Sequence, residues 1–238
     1  MRDQFVANVS DVVKFALLRA LTDRDRTLGV AWYYVPGEVG QVDDNDMEWR
    51  HEPAWRRLDP VLYVGLAGLP ERSVAALERA AIWPPGTLFH GEPVPPRPQR
   101  NAWSDHQRTA LSGADIVFLD PDAGVGKADR KHATIDELHR LRTPGRTLVF
   151  ISFPGYRDHE VLVKKLHENL RSEAGATSVV TLRSSVCVPR DSDPRFCVPR
   201  LRWLTLVDPD ETLVARTGFF ADALASVPRV SVKLDGPG

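Results

Sequence analysis

Asp120 and Asp122 close an apolar run, Ala114-Asp115-Ile116-Val117-Phe118-Leu119, and only Pro121 separates them. A run of that length bounded by turn residues reads as a buried strand. In an α/β protein its carboxyl end faces the crevice where such sheets bind ligands. Two carboxylates placed there can divide hydrolytic work. One orients or deprotonates a water, while the other stabilises positive charge developing on a sugar ring, as in glycoside cleavage through an oxocarbenium-like transition state. The two share a site if the chain turns at Pro121, a turn that Pro121 and Gly124 favour. Glu38, just beyond an earlier apolar run, is a third carboxylate at the expected crevice.

The elements that must position these acids follow from the apolar spacing. Ser10, followed by Val12, Val13, Ala16, Leu17 and Ala20, reads as an N-capped amphipathic helix, and Leu28 to Val35 as a buried strand that Pro36-Gly37 ends. Glu38 to Trp55 is polar and aperiodic and reads as a long loop. Helical spacing returns over Arg72–Ala81 and Asn101–Leu111, around a short strand at Thr87–His90 and a proline-rich turn at Pro93–Pro98. Beyond the Asp120 strand come a helix near Thr134–Leu141, a strand Thr147–Phe153, a helix Asp158–Ser172, strand-like runs Ser178–Val188 and Leu201–Val207, and a short helix near Phe219–Ala225.

Alternating strands and helices imply right-handed parallel crossovers, with the last two strands as an antiparallel hairpin at one edge. The fold expected is α/β: a Rossmann-like, methyltransferase-type, mostly parallel sheet with helices on both faces and an antiparallel C-terminal hairpin. One domain over 1–238 is expected, with a divergent loop and helical insertion at about 41–112.

Composition narrows the classes. A hydrophobic fraction of 42% and a charged fraction of 26% belong to an ordinary globular chain. No apolar run reaches the roughly 20 residues that span a bilayer, and the first residues do not read as a signal peptide, so a cytoplasmic protein with no membrane partner is expected. A net charge of -1 confines any nucleic-acid contact to a local patch. The best such patch is arginine-rich: Arg183, Arg190, Arg195, Arg200 and Arg202 fall in the hairpin, and guanidinium groups pair with phosphate in a fork. Lys127, Arg130, Lys131 and His132 would add positive charge beside the Asp120 crevice. Trp49, Trp55, Trp103 and His106 could stack on or wedge beside a base.

Cys187 and Cys197 lack a Cys-x-x-Cys partner and are expected to be free buried thiols. Asp43, Asp44, Asp46, Glu48 and His51 crowd oxygen and nitrogen ligands together but lack the EF-hand spacing, so no metal is assigned. Phosphate-loop, nucleophile-elbow and His-Glu-x-x-His signatures are absent.

Three segments, in order, resemble the bacterial 23S ribosomal RNA adenine-N6 methyltransferase family. Ala7-Asn8-Val9-Ser10-Asp11-Val12-Val13-Lys14 is similar to that family's opening Gly-Asn-His-Ala-Asp-Val-Leu-Lys. Leu119-Asp120-Pro121-Asp122 falls where the family has Asp-Pro-Pro-Tyr, and Arg190-Asp191-Ser192-Asp193-Pro194-Arg195 is similar to a loop of its terminal hairpin. The resemblance covers about half of the chain. It implies that Asn8, Asp11 and Lys14 face the Asp120 pocket and that S-adenosylmethionine binds near Lys14 and Val35–Gly40.

The departures from the family bear on mechanism. Asp122 replaces the second proline, Ala123 removes the aromatic ring that stacks on a flipped base, and the glycine-rich turn becomes Val35-Pro36-Gly37-Glu38-Val39-Gly40-Gln41. These changes direct the expectation toward hydrolysis without a cofactor: a DNA glycosylase-type enzyme excising a modified or foreign base, as in defence against phage. Asp120, Asp122, Asn8 and Glu38 would be its catalytic residues. Asp11, Lys14, Gly124, Lys127, Arg190, Arg195 and Arg200 would contact substrate. The alternatives are an S-adenosylmethionine-dependent nucleic-acid base methyltransferase using Asp120, a non-catalytic nucleic-acid-binding protein and a metal-dependent nuclease.

Overall fold

A computed structural model describes residues 1–22, 25–37, 47–155, 158–190 and 193–236, with the backbone alone described for 48, 188–190 and 193–198. Its frame is a seven-stranded sheet, built from β1 (Leu28–Ala31), β2 (Leu88–His90), β3 (Ile116–Leu119), β4 (Thr147–Ser152), β5 (Val179–Arg190), β6 (Asp193–Val207) and β7 (Val230–Asp235). The spatial order is β2-β1-β3-β4-β6-β5-β7. β2, β1, β3 and β4 are parallel, whereas β6 enters antiparallel between β4 and β5. Reversing β6 between two strands that run the other way gives the Rossmann-like, methyltransferase-type arrangement of an α/β fold.

Helices α1 (Val9–Leu21), α2 (Pro53–Leu58), α3 (Pro60–Ala67), α4 (Val74–Arg79), α5 (Arg100–Ala110), α6 (Ile135–Leu141), α7 (His159–Ser172) and α8 (Glu211–Ala225) cover both faces. The period of two along β3 divides the core: Ile116 and Phe118 join Phe15, Leu62 and Leu224 on one face, while Val117 and Leu119 join Trp103, Leu138 and Leu170 on the other. All four β3 residues are buried, as expected of a parallel strand covered on both sides. Arg146 closes the lower end of the sheet by donating to the carbonyls of Ala114, Leu141, Leu111 and Ser112 at 2.7–3.1 Å. Among the described residues no helix is long and apolar enough to cross a membrane.

Several expectations need correction. The β5–β6 hairpin is not at the sheet edge, because β7 pairs with β5 from Thr181–Asp235 to Val186–Val230. Only one side of β7 is covered, so Val-Ser-Val-Lys-Leu-Asp alternates weakly and is easily passed over. The cap of α1 is Asn8 rather than Ser10. Asn8 Oδ1 accepts from the backbone nitrogens of Ser10 and Asp11, and Asp11 Oδ2 accepts from that of Ala7 at 2.7 Å.

Part of the expected loop before Trp55 forms a 3-10 turn at Glu48–His51 and the start of α2, pinned where Trp49 Nε1 donates to the Ala7 carbonyl. The last helix is twice the expected length because Asp210 caps it eight residues earlier, with its carboxylate accepting from Leu213 N. Cys187 is disulfide-bonded, not a free thiol. In the hairpin register Cys187 faces Pro199 and Cys197 faces Pro189.

Two imidazoles make the fold sensitive to acid. His90, at the end of β2, and His167, which meets Thr181 Oγ1 at 2.8 Å, are both held below the ordinary histidine value, chiefly by burial. A group whose folded value is depressed takes up more protons in the unfolded chain. Its contribution is therefore complete above about pH 6.5 and is lost as the pH falls through the folded value. Calorimetry should show Tm declining from about pH 7.5 to about pH 5.5, with a shallower decline in His90→Gln/His167→Gln. Parallel declines would contradict this origin.

Candidate active site

The carboxyl ends of β3 and β4 and the start of α1 enclose a cavity of about 360 Å³, within the range of small-molecule sites. Asp120 and Asp122 both line it, so the turn at Pro121 does bring the two acids into one site. The turn is stabilised from Gly124, whose φ is +91°; a Cβ there would meet Ser152 Oγ at 2.5 Å. Gly124 thus shapes the loop but is not among the cavity residues. Asn8, Asp11, Lys14 and Arg200 line the cavity as well, although the helix cap already occupies Asn8 Oδ1.

The cavity floor is a buried ion cluster. Lys14 Nζ lies 2.9 Å from both Asp120 oxygens and 2.6 Å from Asp11 Oδ1, which uses all three ammonium protons. The two carboxylates hold the Lys14 ammonium above the ordinary lysine value against the opposing effect of burial. Asp11 is raised, first by burial and further by the charge of Asp120, with Lys14 opposing both. Asp122 has different partners. Its Oδ1 is 3.0 Å from the Met1 amino nitrogen, which also donates to the carbonyls of Tyr33 and Asp120. Its Oδ2 is 2.8 Å from Arg2 Nε, too poorly aligned to receive a hydrogen bond, so that oxygen is buried without a donor.

Other walls come from Phe153, Pro154 and Leu201, which sequence reasoning passed over as site residues, and from Arg202, which it assigned to a phosphate-binding patch. Ser152 of β4 pairs with Trp203 of β6, which carries Phe153 and Pro154 past Leu201 and Arg202; all four line the cavity. Arg202 is buried, with Nε 2.5 Å from Ser10 Oγ and Nη1 donating to the Arg200 carbonyl. A usable signal was present in Phe153-Pro154-Gly155. It ends the strand after β3 as Asp120-Pro121 ends β3 itself, and parallel neighbours bring such ends together.

The remaining candidates do not converge here. Lys127 is 82% exposed and faces Asp129, away from the cavity. Arg183 is no free phosphate ligand: it is buried against Trp203, with Nε on Asp235 and Nη2 on Glu160. His132 is tied to Asp129 at 2.7 Å, and Trp49, Trp55 and Trp103 are packing residues buried in the core. Glu38, Asp43, Asp44 and Asp46 lie outside the described residues, as do the side chains of Glu48, Arg190 and Arg195. Among the described residues no histidine, cysteine and carboxylate group is arranged to hold a metal.

No family model matches the chain. No curated protein matches it. Among solved structures, protein LPL1258 from Legionella pneumophila str. Philadelphia 1, of the family-model DUF519, is similar over 98% of each chain at 11% identity and a TM-score of 0.54, which shows a shared fold. A SAM-dependent methyltransferase from Agrobacterium tumefaciens aligns at 14% identity over 83% of this chain and 61% of that one, with a TM-score of 0.41. A precorrin-6y C5,15-methyltransferase from Geobacter metallireducens GS-15 aligns at 10% identity over 84% and 88%, with a TM-score of 0.36.

Removing one member of a buried ion cluster leaves its partners charged and uncompensated. Lys14→Met should lower the unfolding free energy by about 3–5 kcal/mol. Lys14→Met/Asp11→Asn/Asp120→Asn should recover a large part of that loss in chemical denaturation. A triple variant as unstable as the single one would show that packing, not charge, dominates at this position.

Proposed function

We propose that the protein is an S-adenosylmethionine-dependent methyltransferase acting on the exocyclic amine of a nucleobase in nucleic acid. The observation carrying this reading is the pairing of Asp120 and Asp122, the two cavity carboxylates at the carboxyl end of β3, with cations. A hydrolytic base must have an oxygen free to reach a water, whereas Asp120 is engaged by Lys14, and Asp122 lies against Arg2 and the Met1 amine. An ionised carboxylate is instead a strong hydrogen-bond acceptor, as required to orient an N–H, and a favourable neighbour for a cationic group. The ion pairs therefore disfavour the glycosylase reading.

The donor set suits the cofactor. Asp122 Oδ2 is a buried oxygen lacking a hydrogen-bond donor at the cavity wall, and an ammonium or sulfonium group would compensate it. When bound, S-adenosylmethionine supplies an electrophilic methyl that passes from its sulfonium sulfur to the acceptor nitrogen, which gives up one proton. Asp122 would hold the cationic part of the cofactor. Asp120 accepts one N–H of the acceptor and aligns its lone pair, and Lys14 holds both Asp120 oxygens in place. Arg200, in the cavity wall, meets a phosphate of the strand that carries the base. Water takes the released proton, so no strongly basic side chain is required.

Calorimetric titration with S-adenosylmethionine should show saturable binding, weakened roughly 10-fold or more in Asp122→Asn, by the scale of a charge-assisted contact. Alkali-labile breaks in DNA after incubation with the protein, together with no cofactor binding, would overturn this reading in favour of base excision.

A further inference from the structure

A flipped base needs a surface to lie on, and the family pattern that Asp120-Pro121 resembles places that ring two residues after Pro121. Here the position is Ala123, whose backbone nitrogen is drawn into a bond with the Lys131 carbonyl and whose methyl is not part of the cavity. No ring can come from this strand end. The neighbouring strand end provides one. Phe153 directly follows β4, lines the same cavity as Asp120 and is 40% exposed, unusual for a phenylalanine at the end of a buried strand. Pro154 fixes the chain beyond it and removes a backbone donor from the rim. Pro121, Pro199 and Leu201 add apolar walls, so the cavity combines an apolar lining with a floor of carboxylates. Such a cavity selects a planar heteroaromatic ring with a hydrogen-bond donor on its edge.

We propose that Phe153 is the stacking platform for the acceptor base, taking the place of the ring that Ala123 lacks. The proposal rests on the base-methyltransferase reading and identifies the substrate contact at that site. Phe153 holds the ring by its face while Asp120 holds the amine by its edge. Because the platform comes from β4 rather than from the Asp120 strand, base affinity and Asp120 chemistry are separable by mutation.

The test uses the full chain and two single-stranded DNA oligonucleotides of equal length, one carrying 2-aminopurine at its centre and the other an abasic site there. Wild-type protein should quench the 2-aminopurine and bind that oligonucleotide more tightly than the abasic one. Phe153→Ala should reduce that preference roughly 5- to 100-fold, the range for loss of one aromatic stack. Phe153→Trp should restore it, and both variants should keep a cooperative thermal transition, which separates loss of the stack from loss of the fold.

Equal preference in wild type and Phe153→Ala would overturn the platform role and leave the methyltransferase reading intact. A Phe153-dependent preference in a protein that does not bind S-adenosylmethionine would support the platform and overturn the reaction.

Discussion

A single buried ammonium determines how this site is built. Lys14 Nζ is 2.6 Å from Asp11 and 2.9 Å from Asp120, linking the first helix to the end of the third strand in the interior. Each ion would be costly to bury alone, so the three have to be buried together. The arrangement works because Asn8 stops the helix one turn earlier, which leaves Asp11 free to accept from Ala7 N and to face Lys14. Helix capping, sheet register and charge neutralisation thus depend on one another around Asp120. The aligned strand ends then place Phe153, Pro154 and Arg202 around the same space.

The charge cluster also selects among reactions. A carboxylate pair suggests acid–base hydrolysis, in which one acid carries a proton and the other does not. Here every acid on the floor has a cation within about 3 Å, so each carboxylate is fixed in place by a partner. Under the proposed reading, orienting an amine requires only a fixed carboxylate oxygen, and Asp122 Oδ2, buried without a hydrogen-bond donor, is the acceptor left for a cationic ligand. The fold is compatible with that use. The sheet reverses β6 between β4 and β5, and the site lies at the strand ends where α/β sheets bind ligands.

The core strands were legible because they are covered on both faces: Ile116–Leu119 and Thr147–Ser152 read as continuous apolar runs with clear ends. Asp120 and Asp122 could be placed at a crevice because they end a strand, whereas Asn8 and Lys14 were placed there only by the resemblance of their segment to a known family. What the sequence hid depends on partners distant along the chain. That Lys14 neutralises Asp120, 106 residues away, or that Arg183 belongs to Asp235 rather than to phosphate, is a matter of strand register. β7 was hidden because its half-exposed alternation resembles a polar tail. Phe153 was hidden because a phenylalanine ending an apolar run reads as core until its exposure is known.

The central claim is that the Asp120 cavity brings a base amine to a methyl donor. Its most direct measurement is incubation of the full chain with S-adenosylmethionine carrying an isotopically labelled methyl and with DNA and RNA, followed by digestion and mass spectrometry of the nucleosides. The account predicts label on an exocyclic nitrogen of one base, reduced on the order of 100-fold or more in Asp120→Ala, as for loss of a positioned transition-state contact. Unlabelled nucleosides together with free bases released in an Asp120-dependent manner would contradict it.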